Sequence, residues 1–295
     1  MKKYINLLCI TSFIIIILTT LVGCTEKKKE DDKLKIVTSF YPIYIMTSNI
    51  VKDAENVELS NMSDVNVGCL HNYTLQTADI KKIETADIFI ENGLGIESFN
   101  DKLINSFKNL EIIDSSKNIN EIIEDDDEIN GHIWTSIENY IKQVDEITNE
   151  LKKKNSINSD IYEKNAKEYK EKLVDLKKRY DEQLSNLKEK KAVVLNEAFA
   201  YLLKDLKMET IELHTDHEES TISAEKLKNV IEKMKENDIS IIIIDKEDNE
   251  KNALTIQSET GAKIYKLNSC MQGNQNNDSY INAMNENLEV LKEML

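Results

Sequence analysis

The most informative stretch of the sequence is Ile239-Ser240-Ile241-Ile242-Ile243-Ile244-Asp245. Its branched apolar side chains favour a β-strand, and an almost unbroken apolar run of this length is typical of a strand covered on both faces. Such strands belong to parallel sheets, in which a helix connects one strand to the next. The stretch therefore predicts a buried central strand in an α/β protein.

The rest of the chain repeats this alternation of strand and helix. Short β-branched runs predict seven further strands, at 34–39, 56–60, 87–91, 110–114, 192–195, 210–213 and 262–267. Helical patterns separate them, at 42–53, 74–85, 97–108, 198–206, 223–236, 249–260 and 278–294. Because helices of this length connect parallel strands, we expect an N-terminal α/β lobe over 34–158 and a C-terminal α/β lobe over 191–295.

Two helices without strands lie between the two groups of strands. The first is predicted at 137–153, and the second is a linking helix at 159–190. The linking helix carries apolar side chains at steps of three and four: Tyr162, Ala166, Tyr169, Leu173, Leu176, Tyr180, Leu184 and Leu187. A coiled coil is the alternative, but the stripe covers only about four heptads and includes three tyrosines. We therefore expect this helix to lie across both lobes.

The composition restricts the class of function. The 295 residues include 54 acidic and 38 basic ones, which gives a formal net charge of -16. Such a charge repels phosphate backbones, so we expect no nucleic-acid partner. The sequence has no glycine-rich phosphate loop, no Gly-x-Ser-x-Gly motif and no His-Glu-x-x-His motif. We therefore expect a binding protein and not an enzyme.

The N-terminal segment is typical of a bacterial export signal. Two lysines precede an apolar stretch at 5–22, and Leu21-Val22-Gly23-Cys24 resembles the lipobox, whose cysteine is diacylated and becomes the first mature residue. We expect a lipoprotein signal peptide at 1–23 and a charged tether at 24–33, with Cys24 anchored by lipid to the outer face of the cell membrane. A permanent transmembrane anchor is the alternative, because about 18 apolar residues can just span a bilayer.

Several motifs resemble, in their order along the chain, those of the metal-binding receptors of zinc and manganese ABC importers. They are Ser39-Phe40-Tyr41-Pro42, Gly68-Cys69-Leu70-His71-Asn72-Tyr73, Asn92-Gly93-Leu94-Gly95-Ile96-Glu97, Gly131-His132-Ile133-Trp134, Asn196-Glu197-Ala198-Phe199-Ala200-Tyr201 and Leu267-Asn268. The resemblance implies two Rossmann-like lobes with parallel sheets joined by a long backbone helix. It also implies a monomeric extracytoplasmic receptor that captures a divalent transition metal and delivers it to an ABC permease.

The resemblance implies a ligand set residue by residue. His71 and His132 match the first two ligand positions. The third position usually holds histidine or glutamate and is Asn196 here, and the fourth usually holds aspartate and is Asn268. An amide oxygen is a poor zinc ligand, so both departures leave the site short of negative charge. Imidazole ligands still favour Zn²⁺ first, with Mn²⁺ second because manganese prefers oxygen.

Two stretches near the matched positions could compensate for the missing carboxylates. Glu197 could turn inward beside Asn196. Alternatively, the segment 213–219 could fold over the cleft and bring its histidine and acidic side chains, His214, Asp216, His217 and Glu218, to the metal. A solvated acidic loop is the other interpretation of that segment. The acidic run at 121–128 is likewise interpreted as a solvated loop, with weak cation capture as the alternative.

The cysteines offer a third compensation. Cys69 lies two residues before His71, and Cys270 lies two residues after Asn268. They could be thiolate ligands, they could form a disulfide across the cleft, or they could be two unrelated buried cysteines. The competing hypothesis for the whole protein is a lipoprotein scaffold or adhesin whose metal site has decayed.

Overall fold

The computed structural model describes residues 33–68, 70–71, 73–125, 128–213 and 222–295. Contacts divide the chain into two units, residues 1–33 and residues 34–295. The predicted signal peptide, Cys24, Cys69 and the segment with His217 lie outside the described residues, so they stay predictions. Among the helices that the structure describes, none has the length and apolar character needed to span a membrane.

The first lobe is a parallel four-stranded sheet with the strand order β2-β1-β3-β4. Its strands are β1 (Leu34–Thr38), β2 (Val57–Asn61), β3 (Ile88–Glu91) and β4 (Glu111–Asp114). Helices α1 (Tyr41–Ile50), α2 (Thr77–Glu84) and α3 (Asn100–Ser106) connect them. Ile36 on the central strand β1 pairs with Leu59 on one side and Ile88 on the other. The four strands predicted from the sequence are therefore confirmed.

The second lobe is also a parallel four-stranded sheet, with the strand order β10-β9-β7-β8. Its strands are β7 (Lys191–Val194), β8 (Glu209–Glu212), β9 (Ile241–Asp245) and β10 (Lys263–Leu267). Its helices are α6 (Ala200–Asp205), α7 (Ala224–Glu236), α8 (Lys251–Thr260) and α9 (Ser279–Lys292). All five residues of β9 are buried, which confirms the prediction of a central strand covered on both faces.

Two long helices follow the strands of the first lobe, α4 (Ile137–Lys154) and the linking helix α5 (Ser159–Gln183). The apolar stripe of α5 is buried as predicted. The helix ends at Gln183 and not near residue 190, because a short 3-10 turn, Ser185–Leu187, follows it. Its 25 residues correspond to a length of about 37 Å. Asn165 of α5 donates to the Ile50 carbonyl of the first lobe, and Tyr180 donates to the Met284 carbonyl of the second.

The lobes share one large hydrophobic core. This cluster contains residues of both sheets and of the linking helix, such as Ile36, Leu173 and Ile243. Tyr140 of α4 stacks on Tyr280 of α9 with ring centroids 3.6 Å apart. The structure thus confirms two α/β lobes and a long helix that contacts both. The boundaries of the lobes at particular residues stay predictions.

An antiparallel hairpin corrects the interpretation of the acidic run as a loop. Its strands are β5 (Ile123–Asp125) and β6 (Glu128–Asn130). Glu124 and Glu128 are exposed, as expected for charged side chains, but the backbone around them is paired. The hydroxyl of Tyr201 accepts a hydrogen bond from the Ile123 backbone N–H at 3.0 Å. This contact with the second lobe holds a hairpin whose charged strands would be weak alone.

Candidate metal site

Three side chains that can bind a metal converge in the structure: His71, His132 and Glu197. Each offers one ligand atom, and these atoms all lie within 4.8 Å of one another. The two imidazole rings have centroids 5.1 Å apart. Two nitrogen donors and one carboxylate oxygen form a set that binds zinc and leaves a coordination position open.

The three side chains come from three different segments. His71 lies in the loop between β2 and α2, at the carboxyl end of the first sheet. His132 stands at the start of the 3-10 turn Ile133–Thr135 that leads into α4, and Glu197 begins the 3-10 turn Glu197–Phe199 that follows β7. Sites at the carboxyl ends of parallel strands are typical of α/β proteins, because the connecting loops meet there.

His132 is the most buried of the three, with 2% of its surface exposed. Its ring contacts Trp134 at a centroid distance of 5.1 Å, and its carbonyl accepts a hydrogen bond from the Thr135 hydroxyl at 3.0 Å. Gly131 before it allows close packing, since a Cβ there would lie 2.6 Å from the Ile96 side chain and 2.9 Å from the Leu94 carbonyl. The glycine-rich turn at 92–97 therefore packs directly against the backbone before His132.

Glu97 holds that glycine-rich turn in place. Its buried carboxylate accepts hydrogen bonds from the backbone N–H groups of Asn92 at 2.8 Å and Gly93 at 3.1 Å. Burial raises the pKa of Glu97 from 4.5 to about 7, and these hydrogen bonds oppose the shift. The side-chain amide of Asn92 in turn donates to the Gly131 carbonyl at 2.9 Å. Glu97 thus supports the ligand segment through Asn92 and Gly93.

The pKa of Glu97 predicts a pH dependence of stability. Because the pKa is higher in the folded state, the stabilisation is fully present below pH 4.5 and is lost as the pH rises to about 7. A shift of this size corresponds to about 3 kcal/mol. Urea unfolding of the wild type and of Glu97→Gln should show that the wild type loses stability relative to the variant between pH 4.5 and 7.5. If the free energies of unfolding of the wild type and the variant changed in parallel with pH, the raised pKa of Glu97 would be contradicted.

Asn196, which was predicted as a ligand, takes part in two hydrogen bonds beside Glu197. Its side-chain oxygen accepts from the Ala198 backbone N–H at 3.0 Å and so caps the 3-10 turn. Its amide nitrogen donates to a carboxylate oxygen of Asp248 at 2.8 Å. An asparagine at this capping position fixes the direction in which the turn starts. The carboxylate that converges with the two histidines is that of Glu197, which is one of the compensations that the sequence analysis considered.

Asn268 and Cys270 are held by the loop after β10. The side-chain oxygen of Asn268 accepts from the Cys270 backbone N–H at 2.9 Å. The side-chain amide of Asn287 accepts from the Asn268 backbone N–H and donates to the Asn268 carbonyl. Cys270 is buried and has no disulfide partner among the described residues, and burial raises the pKa of its thiol, which disfavours a thiolate ligand. Within the described residues the converging group does not include Cys270. Its pairing with Cys69 stays a prediction without structural support.

Asn130 and Tyr201 contact the site although the sequence analysis did not single them out. Asn130 hydrogen-bonds both His132 and the Glu197 carbonyl, and the Tyr201 hydroxyl donates to the Asn130 carbonyl at 2.8 Å. In the sequence, only their positions near candidate ligands could have indicated these two residues: Asn130 lies two residues before His132, and Tyr201 lies four residues after Glu197.

Comparisons with known proteins identify the family of this chain. The family model described as "Zinc-uptake complex component A periplasmic" matches residues 36–294. The high-affinity zinc uptake system protein ZnuA of Bacillus subtilis (strain 168) is 31% identical over 288 residues, which cover 90% of this chain and 88% of that protein. The manganese ABC transporter substrate-binding lipoprotein PsaA of Streptococcus mitis is 28% identical over 294 residues, which cover 93% of this chain and 94% of that one.

The fold is similar to that of solved metal complexes. The solute-binding protein FpvC of Pseudomonas aeruginosa, in complex with Ni²⁺, superimposes with a TM-score of 0.79 at 26% identity and covers 88% of this chain and 96% of its own. The two parallel sheets, the linking helix and the converging histidines thus occur in a chain that matches one family model over nearly its whole length. The chain belongs to the zinc-uptake complex component A family of metal receptors for ABC transporters.

Proposed function

We propose that this protein is an extracytoplasmic receptor that captures a divalent transition metal, zinc first and manganese second, and delivers it to an ABC permease. The convergence of His71, His132 and Glu197 carries the proposal, because it brings nitrogen and carboxylate donors from both lobes to one point. A cargo ion must leave again, and an open coordination position suits a site from which the ion is released.

The donor set favours zinc over manganese. Two imidazole nitrogens and a single carboxylate are common zinc ligands, whereas manganese prefers a larger share of oxygen. The carboxylate of Glu197 also supplies the negative charge that Asn196 and Asn268 lack. The hypothesis of a scaffold or adhesin with a decayed site rested on those two asparagines, so Glu197 weakens it.

The remaining parts of the proposal follow from the sequence. A lipid on Cys24 would hold the receptor at the cell membrane, where the permease lies, and the charged tether at 24–33 would give it reach. We propose that it acts as a monomer, with a first lobe over 34–158, a linking helix and a second lobe over 191–295, and that it catalyses no reaction. His217 and Asn268 remain candidates for the fourth metal ligand.

Metal analysis of the purified full chain tests the proposal most directly. Protein prepared without added metal should contain a transition metal, and the chain stripped with a chelator should rebind one Zn²⁺. Mass spectrometry of the metal content identifies the ion. A stripped chain that takes up neither Zn²⁺ nor Mn²⁺ would contradict the proposed function.

Zinc should also stabilise the folded protein by mass action. At a free zinc concentration of about 100 times the Kd, we expect the free energy of unfolding to rise by about 2.7 kcal/mol, because the ion binds the folded state and not the unfolded chain. Thermal unfolding with and without zinc measures the effect, and Mg²⁺ at the same concentration is the control. An equal shift with Mg²⁺ would mean that the stabilisation is unspecific.

A further inference from the structure

Asn130 connects two of the converging side chains. It is the last residue of β6, is 7% exposed, and precedes His132 by two residues. Its side-chain oxygen lies 3.0 Å from both the backbone nitrogen and Nδ1 of His132, and its amide nitrogen donates to the Glu197 carbonyl at 3.0 Å. One side chain therefore contacts two segments that lie on opposite sides of the linking helix in the sequence.

The orientation of the Asn130 amide is determined by its partners. In general the oxygen and nitrogen of such an amide are hard to distinguish. Here the backbone N–H of His132 can only donate and the carbonyl of Glu197 can only accept. Exchanging the two amide atoms would turn both hydrogen bonds into contacts between like groups. The oxygen of Asn130 must therefore face His132.

This orientation determines the tautomer of His132. A neutral imidazole carries one proton, and the nitrogen that faces an acceptor must be the one that bears it. Because the Asn130 oxygen lies 3.0 Å from Nδ1, the proton is on Nδ1 and the lone pair is on Nε2. Nε2 is then the nitrogen whose lone pair can be donated to a metal. Metal-binding histidines are commonly oriented by such a hydrogen bond at the other ring nitrogen.

Asn130 is itself held from the second lobe. Its carbonyl accepts from the Tyr201 hydroxyl at 2.8 Å, and the same hydroxyl accepts from the Ile123 backbone N–H. Tyr201 is 2% exposed and packs with Ile119 and Ile133 in a small apolar cluster. The position of the Asn130 side chain thus depends on contacts between the hairpin and α6.

We infer that Asn130 is a positioning residue that sets the tautomer of His132 and anchors the turn of Glu197, so that both side chains face one metal ion. This inference rests on the proposed function, since it takes His132 and Glu197 as ligands. Removing a residue that orients a metal ligand costs about 10–100-fold in metal affinity. We expect a loss of that size for zinc in Asn130→Ala.

The experiment compares three variants of the full chain with the wild type. Asn130→Ala removes every side-chain contact of Asn130. Asn130→Asp keeps the acceptor for His132, loses the donor to Glu197 and adds a negative charge beside both. Asn165→Ala is the matched control, because the Asn165 amide, like that of Asn130, donates to backbone carbonyls, here those of Ile50 and Lys52 outside the site.

Two readouts are needed. Nitrogen-15 NMR of the histidine side chains in metal-free protein reports the tautomer of His132, and competition with a chromogenic chelator reports the zinc affinity. The wild type, Asn130→Asp and Asn165→Ala should carry the proton on Nδ1, whereas Asn130→Ala should lose this preference and bind zinc about 10–100-fold more weakly. Asn165→Ala should keep the wild-type zinc affinity.

Either of two results would overturn the inference. One is a neutral His132 ring with its proton on Nε2 instead of Nδ1 in the metal-free wild type or in Asn130→Asp. The other is zinc affinity in folded Asn130→Ala within about threefold of the wild type, where a loss of about 10–100-fold is expected. If the alanine variant does not fold, the tautomers of the wild type and of Asn130→Asp still decide. A wild type that binds no zinc refutes the proposed function, while the tautomer measurement still tests Asn130 separately.

Discussion

Replacing His132 with alanine is expected to lower the zinc affinity by more than about 100-fold. Removing a residue that only orients a metal ligand already lowers the metal affinity by about 10–100-fold, and removing a ligand should lower it further. His132 is one of three converging side chains, so of the group found among the described residues the variant keeps His71 and Glu197. A competition titration of the full chain with a chromogenic zinc chelator measures the change.

Binding and stability have to be separated in this experiment, because His132 is buried. Glu197→Gln is the matched comparison: Glu197 is only partly buried, and the substitution preserves its size while removing the charge. We expect a large loss of zinc affinity in both variants but a change in urea unfolding mainly in His132→Ala. If both variants bind zinc as tightly as the wild type, the proposed site is wrong.

Replacing Trp134 with alanine is expected to destabilise the protein by about 3–5 kcal/mol, the usual cost of removing a buried aromatic side chain. Trp134 is fully buried, its ring meets Phe40 edge to face at 5.1 Å, and its indole N–H donates to the Ser269 carbonyl at 2.9 Å. Its own carbonyl accepts from the Tyr280 hydroxyl at 2.9 Å. Urea unfolding without metal measures the loss.

Trp134→Phe separates the apolar contact from the hydrogen bond. It keeps an aromatic ring but leaves the Ser269 carbonyl without the indole donor, which costs about 1–3 kcal/mol for a buried acceptor. Because the Trp134 ring also contacts His132, Trp134→Ala should lower the zinc affinity as well, though less than His132→Ala. A loss of stability below about 1 kcal/mol in Trp134→Ala would show that this region is loosely packed.

Much of the fold could be predicted from the sequence, since its signals are local. The strands of both sheets are short β-branched runs, and β9 is the clearest of them. The end of the linking helix was placed too late because Leu184 and Leu187 continue the apolar spacing of the helix. In the structure Leu184 is the N-cap residue of the 3-10 turn that follows the helix, and Leu187 is the last residue of that turn. The hairpin was missed because its strands have three residues each and depend on a distant contact with Tyr201.

The candidate site was predictable only in part. His71 and His132 matched family positions, but the inward direction of Glu197 depends on a 3-10 turn capped by Asn196, which no sequence pattern specifies. The role of Asn130 depends on hydrogen bonds to two segments far apart in the sequence. Such networks become visible only when the chain is folded.

The shared hydrophobic core has a consequence for how the protein unfolds. One apolar cluster includes residues from both sheets and from the linking helix, so much of the core is shared between the lobes, although a second cluster with Val193, Ile242 and Ala253 lies within the second lobe alone. Separating the lobes would expose the stacked rings of Tyr140 and Tyr280 to water. The polypeptide from residue 34 onward should therefore unfold in one cooperative transition, although its fold has two lobes.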